Sequence, residues 1–140
     1  MGRILGLDSG TRRIGVALSD PLHLIAQPLE VIAIADFDSR LRALISEHDV
    51  ERVVVGLPVS LSGTEGQAAE SAKRLAERVL AMTGLPVELC DERFTTRTAE
   101  EALISAGVMR RARRGMVDKV AASVMLQHYL DAPQSGGDGA

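Results

Sequence analysis

The spacing of apolar and polar residues changes several times along this chain, and each change marks an element. Ile4-Leu5-Gly6-Leu7 and Ile14-Gly15-Val16-Ala17-Leu18 are short apolar runs separated by Asp8-Ser9-Gly10-Thr11-Arg12-Arg13. Runs of this length around a glycine-bearing turn predict two neighbouring strands, about Arg3 to Asp8 and Arg13 to Ser19. Asp20-Pro21 predicts a turn. A third extended stretch follows from about Leu24 to Ile34. Pro28 removes a ladder donor there, which suits an edge strand or a bulge. The opening therefore reads as a three-stranded antiparallel meander.

The period then lengthens. Leu41, Leu44, Ile45 and His48 follow helical spacing, and Asp36 can cap a helix over about Phe37 to Glu47. Arg52-Val53-Val54-Val55-Gly56 is a continuously apolar strand, as a sheet covered on both faces requires. Leu57 to Gly63 reads as a loop. Thr64 and Gln67 fit a capping box before a helix to about Met82, with Ala68, Ala72, Leu75, Ala76 and Val79 on one face. Gly84 ends that helix, and Val87-Glu88-Leu89-Cys90 is a fifth strand. Thr98 and Glu101 mark a further helix that Gly107 stops. Met109 to Gly115 reads as a mobile arginine-rich loop, and the last helix spans about Met116 to Leu130.

Strands four and five each follow a helix, so right-handed crossovers place them parallel to strand one. The expected fold class is α/β: a five-stranded mixed sheet of order 3-2-1-4-5, strand two antiparallel, with helices on both faces. Asp8 then stands at the C-terminal edge of the central strand, where such folds commonly place ligands.

At 140 residues a single domain is expected over 1–131, with the Gly-, Ser- and Pro-containing 132–140 a disordered tail. No apolar run approaches the ~20 residues needed to span a bilayer, so no membrane partner is expected. The start lacks a signal-peptide pattern, and the single Cys90 permits no internal disulfide. Both favour the cytoplasm.

Three acids fall at three element ends: Asp8, Glu92 and Asp118. Together they suggest a divalent-metal site and phosphate chemistry. Each has a plainer reading. Asp8-Ser9-Gly10 is good turn chemistry. Asp91-Glu92-Arg93 could be a solvated loop with an ion pair. An acid near a helix start suits the macrodipole. Asp118, however, shares a face with Ala121, Ala122 and Met125. That small apolar stripe would carry it toward the sheet, where a carboxylate needs a partner. A shared cation would be one; Lys119 or Arg93 would be another.

The net charge of −3 does not announce a nucleic-acid binder. Its distribution says more, because Arg110, Arg111, Arg113 and Arg114 cluster just before Asp118 and Lys119. With only Phe37, Phe94 and Tyr129 as aromatics, base stacking cannot dominate. Phosphate contacts would have to. His23, His48 and His128 lack metal-ligand spacing, His48 reads as partly buried, and Cys90 reads as a packed strand residue.

Five segments together carry a resemblance. They are Asp8-Ser9-Gly10-Thr11-Arg12-Arg13-Ile14-Gly15-Val16-Ala17 with Ser19-Asp20; Val55-Gly56-Leu57-Pro58; Gly63-Thr64-Glu65-Gly66; Asp91-Glu92-Arg93-Phe94-Thr95-Thr96; and Asp118-Lys119-Val120-Ala121-Ala122. In this order and spacing the chain resembles the YqgF (RuvX-type) family of bacterial RNase H-like proteins, over roughly Arg3 to Asp131. The resemblance implies an RNase H-like fold. It implies Asp8, Glu92 and Asp118 as metal-binding catalytic acids, and nuclease action on the 5′ end of pre-16S ribosomal RNA. Holliday-junction resolution on branched DNA is the older proposal for the family. Val59-Ser60-Leu61-Ser62 departs from a loop that often carries Asn and Asp, which bears on substrate contacts and not on the acids.

The expected mechanism is hydrolysis at a two-metal Mg²⁺ or Mn²⁺ site, with Asp8 shared and Glu92 and Asp118 each completing one ion. Arg12, Arg93, Arg110, Arg111, Arg113, Arg114 and Lys119 are the expected nucleic-acid contacts. Pre-rRNA is the expected partner, with ribosomal precursor particles a further one. Two other classes compete. A phosphotransferase of the actin and sugar-kinase type would share Asp8-x-Gly10 but needs two related domains. A non-catalytic nucleic-acid-binding module would keep the fold without the chemistry.

Overall fold

A computed structural model describes residues 2–9, 12–57, 66–91 and 110–132. Its elements are β1 (Arg3–Ser9), β2 (Arg13–Ser19), β3 (Ala26–Ala33), a 3₁₀ turn (Ile34–Asp36), α1 (Phe37–His48), β4 (Val50–Leu57), α2 (Gln67–Thr83), β5 (Val87–Asp91) and α3 (Arg110–Asp131). The five strands form one sheet of order β3-β2-β1-β4-β5. β2 runs antiparallel to β1 and β3, while β4 and β5 run parallel to β1. This is the architecture that the apolar runs and crossover handedness predict.

Strand alternation divides the core into two layers. Leu5, Leu7, Val16, Val53 and Val55 pack on one face with Phe37, Leu41 and Leu44 of α1 and Ala72 and Val79 of α2. Ile4, Ala17, Val54 and Cys90 pack on the other with Ala122, Met125 and Leu126 of α3. The continuous valine run in β4 is explained by this covering of both faces.

Pro28 lies on the outer strand beside an irregularity. The β2–β3 register shifts between Val16, paired with Glu30, and Ala17, paired with Pro28, so Leu29 is the extra residue of a bulge. Asp36 stands at the N-cap of α1 without a side-chain capping bond. α2 begins at Gln67 with Gly66 at its N-cap, which removes Gln67 from the third helical position that a Thr64–Gln67 box needs. Thr64, Gly107 and the expected helix after Thr98 lie outside the described residues. Gly84 ends α2 in the left-handed conformation at φ 71°, which glycine adopts without a Cβ penalty.

The arginine-rich segment departs from expectation. Arg110 to Gly115 is not a loop but the first turns of α3, which runs unbroken to Asp131. Arginine and alanine are good helix formers, and one interior glycine costs only ~1 kcal/mol, which a long packed helix tolerates.

The C-terminal half of α3 is tied down on both flanks. Gln127 Oε1 accepts the Ala26 N–H at 2.8 Å and its Nε2 donates to the Leu24 carbonyl at 2.9 Å. On the other flank Arg52 Nη1 donates to the Tyr129 hydroxyl at 2.9 Å, and that hydroxyl donates to Glu88 Oε2 at 2.6 Å. Arg52 and Glu88 stand near the starts of β4 and β5, so α3 runs antiparallel to β1. Its N-terminal half therefore lies toward the C-terminal edge of the sheet.

Candidate active site

Asp8 is the next-to-last residue of the central strand and is partly buried. Leu7 pairs with Val55, and Val55 with Leu89, so these form one row across three strands. The next row holds Asp8, Gly56 and Cys90, with Gly56 and Cys90 paired. On the other side Asp8 pairs with Gly15 of β2. The carboxylate is thus flanked by a glycine on each neighbouring strand, and neither presents a side chain to fill the space beside it.

The face is settled by alternation. Ile4 packs against α3, and a Cβ on Gly6 would lie 3.1 Å from Leu126 Cβ. Asp8, two residues further along, is on this same α3 side. Ala121 and Ala122 of α3 are fully buried, and their small size lets the helix approach this edge. Position 118 lies three and four residues before them, on the same stripe. From Leu126, level with Gly6, position 118 is ~12 Å along the helix at ~1.5 Å per residue. From Gly6, Asp8 is ~7 Å along the strand at ~3.3 Å per residue. The backbone therefore brings position 118 to within about one helical turn of the level of Asp8.

Glu92 lies outside the described residues. It directly follows Asp91, the last residue of β5, which pairs with Leu57 at the same sheet edge. Among the described residues no group of three His, Cys, Asp or Glu side chains is gathered, and Asp8 is the only one of the three candidate acids whose side chain is among them. A half-buried carboxylate at a strand end, between two glycine positions, is an oxygen ligand of the kind a hard divalent cation takes.

Arg12 is exposed where the chain enters β2, and its carbonyl accepts the Ile34 N–H at 3.1 Å. Lys119 is half-buried on α3, next to position 118. Arg93 lies outside the described residues. His48 is partly buried, as its helical position predicts. Cys90 is packed, with its thiol 3.9 Å from the Met125 carbonyl, so it behaves as a strand residue of the core.

Sequence reasoning passed over Gly15. The available signal was a glycine interrupting an apolar strand run, which marks a close backbone approach or a ligand. Asp20 is the other informative acid, at the opposite end of the sheet. Its Oδ1 accepts the Leu24 and Ile25 N–H groups at 2.7 and 2.8 Å. The Ile25 amide above all holds its carboxyl below the usual carboxylate range. Asp20 shapes the β2–β3 turn and takes no part at the Asp8 edge.

Residues 2–132 match the family described as "RuvX: Holliday junction resolvase". The chain belongs to the RuvX family. A Geobacillus kaustophilus relative named "Putative pre-16S rRNA nuclease" is 50% identical over 135 residues, covering 93% of this chain and 98% of its own. A Listeria monocytogenes relative of the same name is 49% identical over 135 residues, covering 92% and 97%. Among solved structures, Thermus thermophilus RuvC in complex with a Holliday junction substrate aligns with TM-score 0.56 at 19% identity over 93% of this chain and 94% of that one. The fowlpox virus Holliday junction resolvase aligns at TM-score 0.54 and 11% identity, over 92% and 98%. At these identities the two structures share the fold with the RuvX chain. No described helix is long and apolar enough to cross a membrane.

Proposed function

We propose that this RuvX protein is a metal-dependent nuclease that hydrolyses phosphodiester bonds in 5′-end processing of pre-16S rRNA. The observation that carries the reading is the setting of Asp8. Its carboxylate sits at the C-terminal edge of the central strand, paired with Gly15 and in the row of Gly56, on the side that α3 covers. The pre-16S rRNA substrate rests on the relatives about 50% identical over nearly their whole length. Such work belongs in the cytoplasm, on ribosomal precursor particles.

In this reading Asp8, Glu92 and Asp118 hold Mg²⁺ or Mn²⁺. When bound, such ions activate a water and stabilise the leaving oxygen. The protein's own part is rigidity. Asp8 is fixed by a central strand paired on both sides, and α3 is anchored at its far end by Gln127 and Tyr129. Gly15 and Gly56 leave room for a phosphodiester to approach the backbone. Arg12 and Lys119, with Arg93, which follows β5 in sequence, and the arginines that open α3, neutralise the substrate backbone.

Resolution of branched DNA is the second reading, and the family description favours it. The test offers precursor 16S RNA and a four-way DNA junction side by side, in Mg²⁺ and in Mn²⁺, to wild type and Asp8→Asn. Metal-dependent cleavage of the RNA by wild type alone is expected. Cleavage of the junction alone would transfer the assignment to DNA. Equal cleavage by both proteins would overturn the role of Asp8.

A further inference from the structure

The end of the sheet away from Asp8 carries a surface that the nuclease reading does not use. Leu22, Leu24 and Ile25, in the turn between β2 and β3, are 66%, 62% and 58% exposed. Single exposed leucines are common, but a contiguous apolar patch marks a place where a partner binds. The turn that carries them is firmly held. The Asp20 N–H donates to the Ile25 carbonyl at 3.1 Å, and the His23 N–H to the Asp20 carbonyl at 3.0 Å. Asp20 Oδ1 takes the Leu24 and Ile25 amides, and Gln127 holds the Leu24 carbonyl. His23, at φ 60°, stands in the left-handed region that residues other than glycine seldom enter, and its Nε2 lies 2.8 Å from the Gly2 carbonyl. A turn ordered in advance has little freedom left to lose on binding.

Beside the patch is a hollow of about 290 Å³, lined among others by Arg3, Asp20, Pro21, Ile25 and Gln27. Ile25 belongs to both, so the two are continuous. Arg3 is the only cation among the lining residues, and among the described residues it forms no ion pair. By alternation Arg3 is on the face of Leu5 and Leu7, which α1 and α2 cover, and Leu18, the partner of Leu5, also lines the hollow. Asp20 offsets little of that charge, since one of its oxygens is already taken by the two turn amides. Arg3 precedes Asp8 by five residues, which is ~17 Å along the strand at ~3.3 Å per residue, and is on the other face. The hollow is therefore separate from the Asp8 site.

We infer that this surface docks a peptide segment of a partner protein, one that covers Leu22, Leu24 and Ile25 with large apolar side chains and sends a carboxylate into the hollow to pair with Arg3. Charge complementarity selects the acidic group, because the one cation lining the hollow has no partner ion. A second copy of the chain fits less well, because three exposed side chains are far fewer than the ~20–30 residues a side of a stable interface. The docking site does not depend on the nuclease reading.

The experiment selects peptides from a displayed random library on the full chain. The enriched sequence is then synthesised and titrated against wild type and variants by fluorescence anisotropy. The enriched peptides are expected to combine Asp or Glu with at least two large apolar residues. Leu22→Ser/Leu24→Ser, at exposed positions that leave the fold intact, is expected to weaken binding by more than about tenfold, as two uncovered leucines should. Arg3→Gln is expected to weaken the acidic peptide by about tenfold, the worth of a hydrogen bond to a charged group, and to leave its Asn or Gln counterpart unchanged. Asp8→Asn, far from the hollow, is expected to change binding by less than about twofold. No enrichment, or enriched peptides indifferent to the leucine pair, overturns the inference. Equal loss of the acidic and amide peptides on Arg3→Gln overturns the carboxylate pairing. A dimer in sedimentation equilibrium that the leucine pair dissolves would assign the surface to a second copy and overturn the inference as well.

Discussion

Gly6 and Leu126 meet so closely that the helix side chain leaves no room for a side chain on the strand. A methyl group on Gly6 would lie 3.1 Å from Leu126 Cβ and 3.4 Å from its Cδ2. The nearer atom is fixed to the helix backbone, so α3 would have to shift as a body. Gly6→Ala is expected to cost about 1–3 kcal/mol of stability, as overpacking a tight core does. Urea unfolding checks this; an unchanged midpoint would show that α3 yields freely.

Divalent cation binding should appear as stabilisation. A ligand that binds only the native state adds ~2.7 kcal/mol at 100 times its Kd. Mn²⁺ should therefore raise the melting temperature of the wild-type protein, and Asp8→Asn should respond much less. The same titration in a calorimeter gives the heats. Equal shifts in both proteins would place the cation elsewhere.

The Tyr129 hydroxyl is held neutral between Arg52 and Glu88. Burial first, then the hydrogen bond donated to Glu88, pushes its pKa above the usual 10.0. Stability from a group raised in the folded state is complete below its ordinary value and is lost as pH rises through the raised one. Tyr129→Phe should cost about 0.5–1 kcal/mol at neutral pH, the worth of hydrogen bonds at a partly exposed site. It should also remove part of the fall in stability above pH ~10. Denaturant unfolding from neutral to alkaline pH reads both effects.

Glu30 and Arg40 test the acid side. Arg40 Nε and Nη2 donate to the two Glu30 oxygens at 2.7 and 2.8 Å. The hydrogen bond from Arg40 is the main cause that lowers the Glu30 pKa from its ordinary 4.5. Stability from a lowered carboxyl is present above the ordinary value and lost as pH falls through the lowered one. Arg40→Gln should therefore destabilise slightly at neutral pH and flatten the loss of stability below pH ~4. Melting temperatures across the acid range measure it.

The sheet was legible because each strand is an apolar run bounded by turn residues, and crossover handedness leaves little freedom in the order. Asp8 was legible for the same reason: the run through Leu7 fixes where β1 ends. The start of α3 was not legible. Four arginines and Gly115 resemble a loop in composition, yet their propensities suit a helix whose far end is packed. The start of α2 was misplaced because Thr64 and Gln67 have cap spacing, while the chain caps at Gly66. The anchors of α3 could not be read at all. Gln127 and Ala26 are 101 positions apart, and nothing local to either names the other.

The bulge at Leu29, beside Pro28, bears on how the molecule behaves among its own copies. An outermost strand with a regular row of free amides and carbonyls invites a second chain to continue the ladder. Here one backbone position has no hydrogen to offer, and the offset puts its neighbours out of step with any straight incoming segment. Sheet growth is discouraged along the β3 border, a built-in resistance to fibre formation.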